Sequence, residues 1–512
     1  MKITDKLLIF IDKTFTCFFV SGMMGFPEET HHRHEAKSMR IAIAGASGFI
    51  GRRVSLDVAN HTDHVVVSLS RSGSGPTHAH IEGRTADFFS LYSAEMALAG
   101  CDVGVYLLHS MTPSHRLTQG RFEDFDFILA DNFARAARSC GLKRIVYVGG
   151  MIDEQCTRLS RHLASRQEVE AVLGSYGVPV TSIRCSLVIG AEGSSFAILN
   201  QLVRRLPILL LPAWSSSLCQ PVAIDDLVLI VRRSLDHAPA GTTSFDVGAP
   251  ETMTYRELVE QAAALAHGKR WILDVPMIPM GLAKLWIKLI TGAPRDLVYP
   301  LVDSLVHSMT VRPGHRAGPD LIECYTPIAR ALEQEMTRAK QALPKTKTKR
   351  SKAKLVQSVQ RLSLPPHMDA YQVANFYFRW LSLFFTRILT VKNRDHLSAF
   401  CLFGVRPSLL ELTFAPARSG RDRQLFYITG GLLAKQNPRA RLEFRESPDK
   451  RYVFAAIHDY EPALPWWIYR LSQALFHRYV MWRFGLFLKR MGARSDDRQQ
   501  SKAFTSPTAG RP

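Results

Sequence analysis

A chain of 512 residues exceeds the usual size of one domain, so two or three are expected. With 46% hydrophobic and 21% charged residues it can bury a sizeable core, and extended disorder is excluded as its general character. The net charge of +20 favours a polyanionic partner: nucleic acid, an anionic membrane surface or a phosphorylated ligand.

In chain order, "LLIFIDKTFTCFFVSGMMGF" (7–26) is apolar but split by Asp12 and Lys13, which leaves a run too short to span a bilayer. "HHRHE" (31–35) carries metal-ligating side chains on a tail with no scaffold to fix them, so no metal site is expected. Residues 1–38 read as an N-terminal extension, and Met39 stands immediately before the first strand.

"RIAIAGASGFIG" (40–51) is a strand running into a helix through Gly45, Gly48 and Gly51, spaced G-x-x-G-x-x-G. Glycines let a phosphate approach the backbone closely, and the helix N-terminus supplies unpaired N–H groups. Gly45, Ser47, Gly48, Phe49, Ile50 and Gly51 are therefore candidate dinucleotide-binding residues. The second strand, "VVVSLSR" (65–71), ends in Arg71, twenty positions after Gly51, with no acid beside it. A carboxylate there would clasp the ribose 2′-hydroxyl of NAD, whereas a guanidinium can fork onto a 2′-phosphate. NADP is the favoured cofactor, with NAD the alternative.

Further strands are expected at 103–110, 144–150 and 180–190. A helix is expected over 121–141, where Phe125, Ile128, Leu129, Asn132, Phe133 and Ala136 recur at helical spacing. The fold class is α/β, a doubly wound parallel Rossmann sheet. Residues 190–315 form a less regular substrate-facing part, in which "MIPMGLAKLWIKLITG" (277–292) is an amphipathic helix packed on its own domain. "TRAKQALPKTKTKRSKAK" (337–354) holds eight Lys/Arg and no acid, so 316–368 reads as a basic linker, with membrane-surface tethering as the alternative. Much of the charge is concentrated there, and no helix-turn-helix or RNA-binding signature accompanies it, which argues against nucleic acid as a partner.

After the linker, 373–391 is aromatic and helical, strands are expected at 409–416, 424–434, 440–447 and 451–462, and 464–492 is one long helix. That helix is apolar on two faces, through Leu471, Leu475, Tyr479, Trp482 and Leu486 on one and Phe476, Val480, Phe484 and Phe487 on the other. Both faces should be covered, by the first domain, a second subunit or a lipid headgroup layer. Residues 493–512 read as a disordered tail. The eight cysteines show no C-x-x-C pair, which suits a reducing compartment and small buried side chains.

"GASGFIG", "ADF" (86–88), "YLLHSM" (106–111), Asn132 and "QPVAIDDL" (220–227) together resemble the extended and atypical short-chain dehydrogenase/reductase superfamily, especially its NmrA-like branch and the accessory Rossmann subunit of respiratory complex I. The resemblance covers about 39–310, within a domain expected over 39–315. It implies that Asp87 and Phe88 flank the adenine and that Leu107, Leu108 and His109 line the cofactor. Residues 369–492 more loosely resemble the START-like helix-grip domain, an α+β fold that bacteria fuse behind such Rossmann domains.

Active members of the superfamily use a serine, a tyrosine and a lysine four residues after the tyrosine. In "YVGGMIDEQCTRLSRHLASRQEVEAVL" (147–173) Gly149 and Gly150 stand where the serine is expected, and His162 and Arg166 replace the Tyr-x-x-x-Lys pair. Positions i and i+4 share a helix face. Arg166 could hold ribose or phosphate, and His162, with an ordinary pKa near 6.5, could act as acid or base near neutrality. Thr157 or Ser160 could orient a carbonyl. The competing reading is a polar helix face without catalytic duty. Asp225 and Asp226 read as helix-capping residues, Arg184 and Ser186 as substrate contacts or core-strand residues, and His109 and Ser110 as the ligand edge of the third strand.

The expected function is that of an NADP(H)-binding atypical short-chain dehydrogenase/reductase, an oxidoreductase or epimerase-like enzyme taking a small hydrophobic or carbonyl ligand. The alternative is a non-catalytic NADP(H)-sensing regulator or assembly factor. A cytoplasmic location follows from this reading, with peripheral attachment at the inner membrane face and a homodimer left open.

Overall fold

The computed structural model describes residues 38–504 except 112–116, 153–155, 238–240, 267, 342–354, 386–387 and 406. The apolar run at 7–26 and "HHRHE" lie outside the described residues.

The first elements are β1 (Arg40–Ala44), α1 (Phe49–His61), β2 (Val65–Ser70), β3 (Ile81–Thr85), α2 (Leu91–Leu98), β4 (Val103–Tyr106), β5 (Leu117–Gln119), α3 (Phe122–Ser139), β6 (Arg144–Gly150), α4 (Arg161–Gly174) and β7 (Val180–Cys185). A seven-stranded sheet runs Thr243–Val247, β7, β6, β4, β1, β2, β3, with every neighbouring pair parallel. Helix α1 and Ile224–Asp236 cover one face, and α2, α3 and α4 the other. This is a doubly wound Rossmann sheet. Two of its strands have no counterpart among the sequence expectations. Edge strand β3, "IEGRT", is largely exposed and so lacks an apolar pattern, and Thr243–Val247 buries only its last two residues.

The chain then builds a second, eight-stranded sheet. Its order is Leu389–Arg394, Leu397–Leu402, Leu410–Phe414, Arg423–Gly430, Arg441–Glu446, Tyr452–Tyr460, Val356–Ser363, β5. All pairs are antiparallel except the last, in which β5 of the first region lies parallel to Val356–Ser363. Strand Tyr452–Tyr460 is buried on both sides. Val453 and Ala455 join the core beneath helices Ala370–Phe384 and Gln473–Phe504, while Phe454 and Ala456 join the core around α3. The Phe127 and Phe454 rings stack at 4.1 Å across this second boundary. Burying a ring of that size contributes roughly 1.5–3 kcal/mol.

Because a sheet lies on its outer side, α3 buries charge as well as apolar surface. Arg445, fully buried, donates to Asp131 at 2.5 Å and to the side-chain oxygen of Asn132 at 2.7 Å, and pairs with Glu443. Burial alone would push Glu443 up, yet Arg423 and Arg445 beside it hold its carboxyl well below the usual range. Arg361 bridges Asp124 and Glu168, each at 2.8 Å.

Three expectations need revision. The stretch 316–368 contains helix Ile328–Gln341, whose Ile328, Ala331, Leu332 and Met336 are buried in the first region, and the second-sheet strand Val356–Ser363; the most basic part, 342–354, lies outside the described residues. The aromatic helix ends at Phe384, and Leu389–Arg394 is a strand. The last helix continues to Phe504, so 493–504 is helical. Helix Met280–Thr291 packs Ala283 and Ile287 inward on its own domain, as expected, and turns Leu282, Leu285, Trp286 and Leu289 outward.

Candidate cofactor cleft and catalytic site

Helix α1 begins directly from the glycine loop, and its cap residue Gly48 offers no side-chain hydrogen bond to the first turn. The first-turn N–H groups therefore face an anion site without a competing side chain. Gly45 adopts φ +93°, and a Cβ there would meet the Leu107 carbonyl oxygen at 3.1 Å. A Cβ on Gly51 would lie 2.3 Å from the Gly45 oxygen, so only glycine lets α1 approach β1 this closely. The cradle fits a pyrophosphate.

Beside it opens a cleft of about 680 Å³ lined by Gly45, Ser47, Arg71, Asp87, Leu108 and His109, among others. Arg71 is exposed at the end of β2 and also borders a second cleft, of about 770 Å³, that reaches the second sheet through Arg423, Tyr427 and Arg441. Phe88 reaches the cofactor cleft too, but its ring is buried against Phe133, and its carbonyl accepts a hydrogen bond from Asn132 at 2.8 Å. The other predicted residues do not line this cleft. Leu107 packs against Gly45, and Phe49 lies under Gly190 with the Arg53 guanidinium over its ring. Ile50 faces a different cavity.

That second cavity, about 270 Å³, lies at the carboxyl ends of β6 and β7. Its wall is mostly aliphatic, with Leu199, Leu202, Leu258, Val302 and Leu305 around Ile50. His162 and Arg166, one turn apart on α4, both reach it. The buried Arg166 guanidinium pairs with Asp126 of α3, which also accepts from the Ser110 N–H at 2.7 Å and the Ser165 hydroxyl at 3.1 Å. The guanidinium is thus ion-paired to a carboxylate, while its Nε has no hydrogen-bond partner among the described residues. His162 Nδ1 lies 3.1 Å from the Ser304 hydroxyl, which in turn is 3.0 Å from that of Ser160. Burial, reinforced by the Arg166 charge and His109, pushes His162 down to about 3. The sequence expectation of acid/base action near neutrality assumed an ordinary pKa; in this setting the imidazole stays neutral. A serine side chain at Gly149 would meet the Tyr147 ring at 2.7 Å, and the Tyr147 hydroxyl is occupied donating to the Arg166 carbonyl at 3.1 Å.

Residues 45–187, the span of this loop, cleft and helix pair, match the protein family described as NAD(P)H-binding. They form an NAD(P)H-binding Rossmann domain. Each relative is matched over only part of its own length and part of this chain. A 244-residue stretch is 26% identical to an uncharacterized protein of Mycobacterium tuberculosis, covering 48% of this chain and 24% of that one. Over 143 residues the chain is 26% identical to the auxiliary protein GraX of Staphylococcus aureus, covering 28% and 42%. Over 241 residues it is 22% identical to the mitochondrial NADH dehydrogenase [ubiquinone] 1 alpha subcomplex subunit 9 of Arabidopsis thaliana, covering 45% and 59%. The chain thus spans about a quarter of the mycobacterial relative and less than two thirds of the other two. A solved triphenylmethane reductase of Citrobacter sp. matches with a TM-score of 0.45 at 17% identity, over 58% of this chain and 99% of its own.

Around the NAD(P)H-binding domain, the remaining candidates serve the fold. Arg184 forks onto Glu170 at 3.0 and 2.8 Å, and Ser186 donates to the Gln220 carbonyl at 2.7 Å while edging the apolar cavity. The capping reading of Asp225 and Asp226 is not what the geometry shows, because the cap position is Ala223. Asp225 pairs with Arg53 and Arg338, and Asp226 accepts from the Thr326 N–H and hydroxyl, each at 2.8 Å. Thr157 is exposed, and Ser160 caps α4 by accepting from the Leu163 N–H. Sequence reasoning missed Asp126 and Ser304, which lie 40 and 142 residues from the groups they hold. Asp126 did carry a signal, as an acid on the apolar side of a helix.

Proposed function

We propose that this chain is an NADP(H)-dependent oxidoreductase of the atypical short-chain type that passes hydride to a small, neutral, apolar acceptor. The observation that carries the reading is the aliphatic cavity of about 270 Å³ between Ile50 of the glycine-loop helix and His162 of α4. Its two strongest polar groups are a neutral imidazole and an ion-paired guanidinium, so nothing in its wall calls for a charged ligand. NADPH, when bound, supplies the hydride. The chain's residues hold the pyrophosphate at the α1 N-terminus, aim Arg71 at a 2′-phosphate and exclude water around the acceptor. With no acid poised near neutrality, an acceptor whose reduced oxygen is already stabilised, such as a quinone, is favoured over a simple ketone.

The same Arg166–Asp126 pair and neutral His162 favour a second reading, a non-catalytic NADP(H)-responsive regulator. Fluorescence titration of NADPH against NADH, on the wild type and on Arg71→Ala, tests the cofactor. NADPH affinity is expected to fall about 10- to 100-fold in the variant, as for loss of one charge-assisted contact, with NADH unchanged. Turnover on a panel of quinones, aldehydes and sugar nucleotides separates the readings. Tight NADPH binding with no turnover selects the regulator, and failure to bind either coenzyme removes both.

A further inference from the structure

The end of the chain presents an apolar face that the rest of the fold does not cover. Helix Gln473–Phe504 buries Ala474, Val480, Met481, Phe484 and Leu488 in the second-sheet core. On its other side, and on the preceding helix Trp466–Leu471, the side chains of Trp467, Leu471, Leu475, Phe476, Tyr479 and Trp482 are 45–71% exposed. The ridge is continuous. Tyr479 lies 6.0 Å from Trp482 and 6.4 Å from Phe384, and Phe476 lies 5.4 Å from Phe385, ring centre to ring centre. Of the three covers expected for this face, the first domain does not supply one, which leaves a second subunit or a lipid headgroup layer.

Its charge decides what can cover it. Arg470, Arg478 and Arg483 are exposed along the ridge, and no acid occurs between Glu461 and Asp496. A second copy meeting the same face about a two-fold axis would set these arginines against a helix face that carries arginines and no acid. An anionic headgroup layer would pair with them and take the rings into its acyl boundary, where tryptophan and tyrosine are favoured. Among the described residues no helix is long and apolar enough to cross a membrane, so the helix would lie in the interface plane.

We propose that this face docks the protein peripherally on an anionic lipid bilayer. The test is flotation of the full chain with phosphatidylcholine vesicles with and without phosphatidylglycerol. The wild type floats with the anionic vesicles and is released by salt. Leu475→Glu combined with Trp482→Glu lowers partitioning at least about tenfold, with the melting temperature and circular dichroism unchanged because both positions are exposed. Arg478→Gln combined with Arg483→Gln weakens binding selectively to the phosphatidylglycerol vesicles, which keeps the test decisive if the first variant fails to fold. The proposal is overturned if the wild type does not float, or if neither double variant changes flotation. It is equally overturned if light scattering shows a dimer that the first variant dissociates, or if flotation depends instead on Leu285 and Leu289.

Discussion

Replacing Gly51 by alanine tests the cofactor cradle at its tightest point. The added Cβ would lie 2.3 Å from the Gly45 carbonyl oxygen and 2.8 Å from Ala46 Cα, where ordinary contact begins at 3.4 Å. Strand β1 cannot retreat, because it is paired on both sides by β2 and β4. The adjustment therefore falls on α1, which must move by about 1 Å, an overpacking cost of about 1–3 kcal/mol. A shift of that size takes the first-turn N–H groups out of hydrogen-bond reach of a pyrophosphate. Losing one charge-assisted bond of about 1.5–3 kcal/mol weakens NADPH by about 10- to 100-fold. The assay is NADPH fluorescence titration beside a thermal melt. Gly281→Ala serves as control, since a Cβ there meets nothing within 4 Å. If Gly51→Ala bound NADPH as the wild type does, the assignment of the cradle would be wrong.

Two further predictions follow from the buried charges. His162 is lowered from 6.5 to about 3 in the folded protein, so between these values the unfolded chain binds the extra proton. Its contribution is complete above pH 6.5 and is lost as pH falls, reaching at most about 2 kcal/mol at pH 5. Melting curves of His162→Gln should show a smaller drop between pH 7 and 5 than the wild type, and parallel drops would refute the lowered pKa. Arg445→Ala leaves Asp131 and Glu443 short of a buried partner, although Arg135 and Arg423 remain beside them. The expected loss is about 3 kcal/mol, the lower end for a broken buried pair, read from denaturant midpoints; an unchanged midpoint would show that the second sheet is held to α3 by apolar packing alone.

What could be read from the sequence was what short stretches determine by themselves. The glycine spacing at 45–51, the arginine ending β2 and the i, i+4 pair at 162 and 166 are each local, and each stands where its own spacing put it. The chemistry of that pair was not local. Asp126, which arrives from another helix, holds the Arg166 guanidinium in an ion pair. The strand "VQSVQRLS" reads as part of a linker because a strand between two sheet neighbours can carry polar side chains when distant partners satisfy them. Arg361 in it reaches Asp124 and Glu168, 237 and 193 residues away. The same distant pairing accounts for Asp124 and Asp131 on α3, which meet Arg361 and Arg445 of a sheet formed more than two hundred residues later. Long-range charge pairing thus accounts for both the misread linker and the altered pair on α4, and the apolar pattern, which is blind to it, was most reliable where no second sheet intervenes.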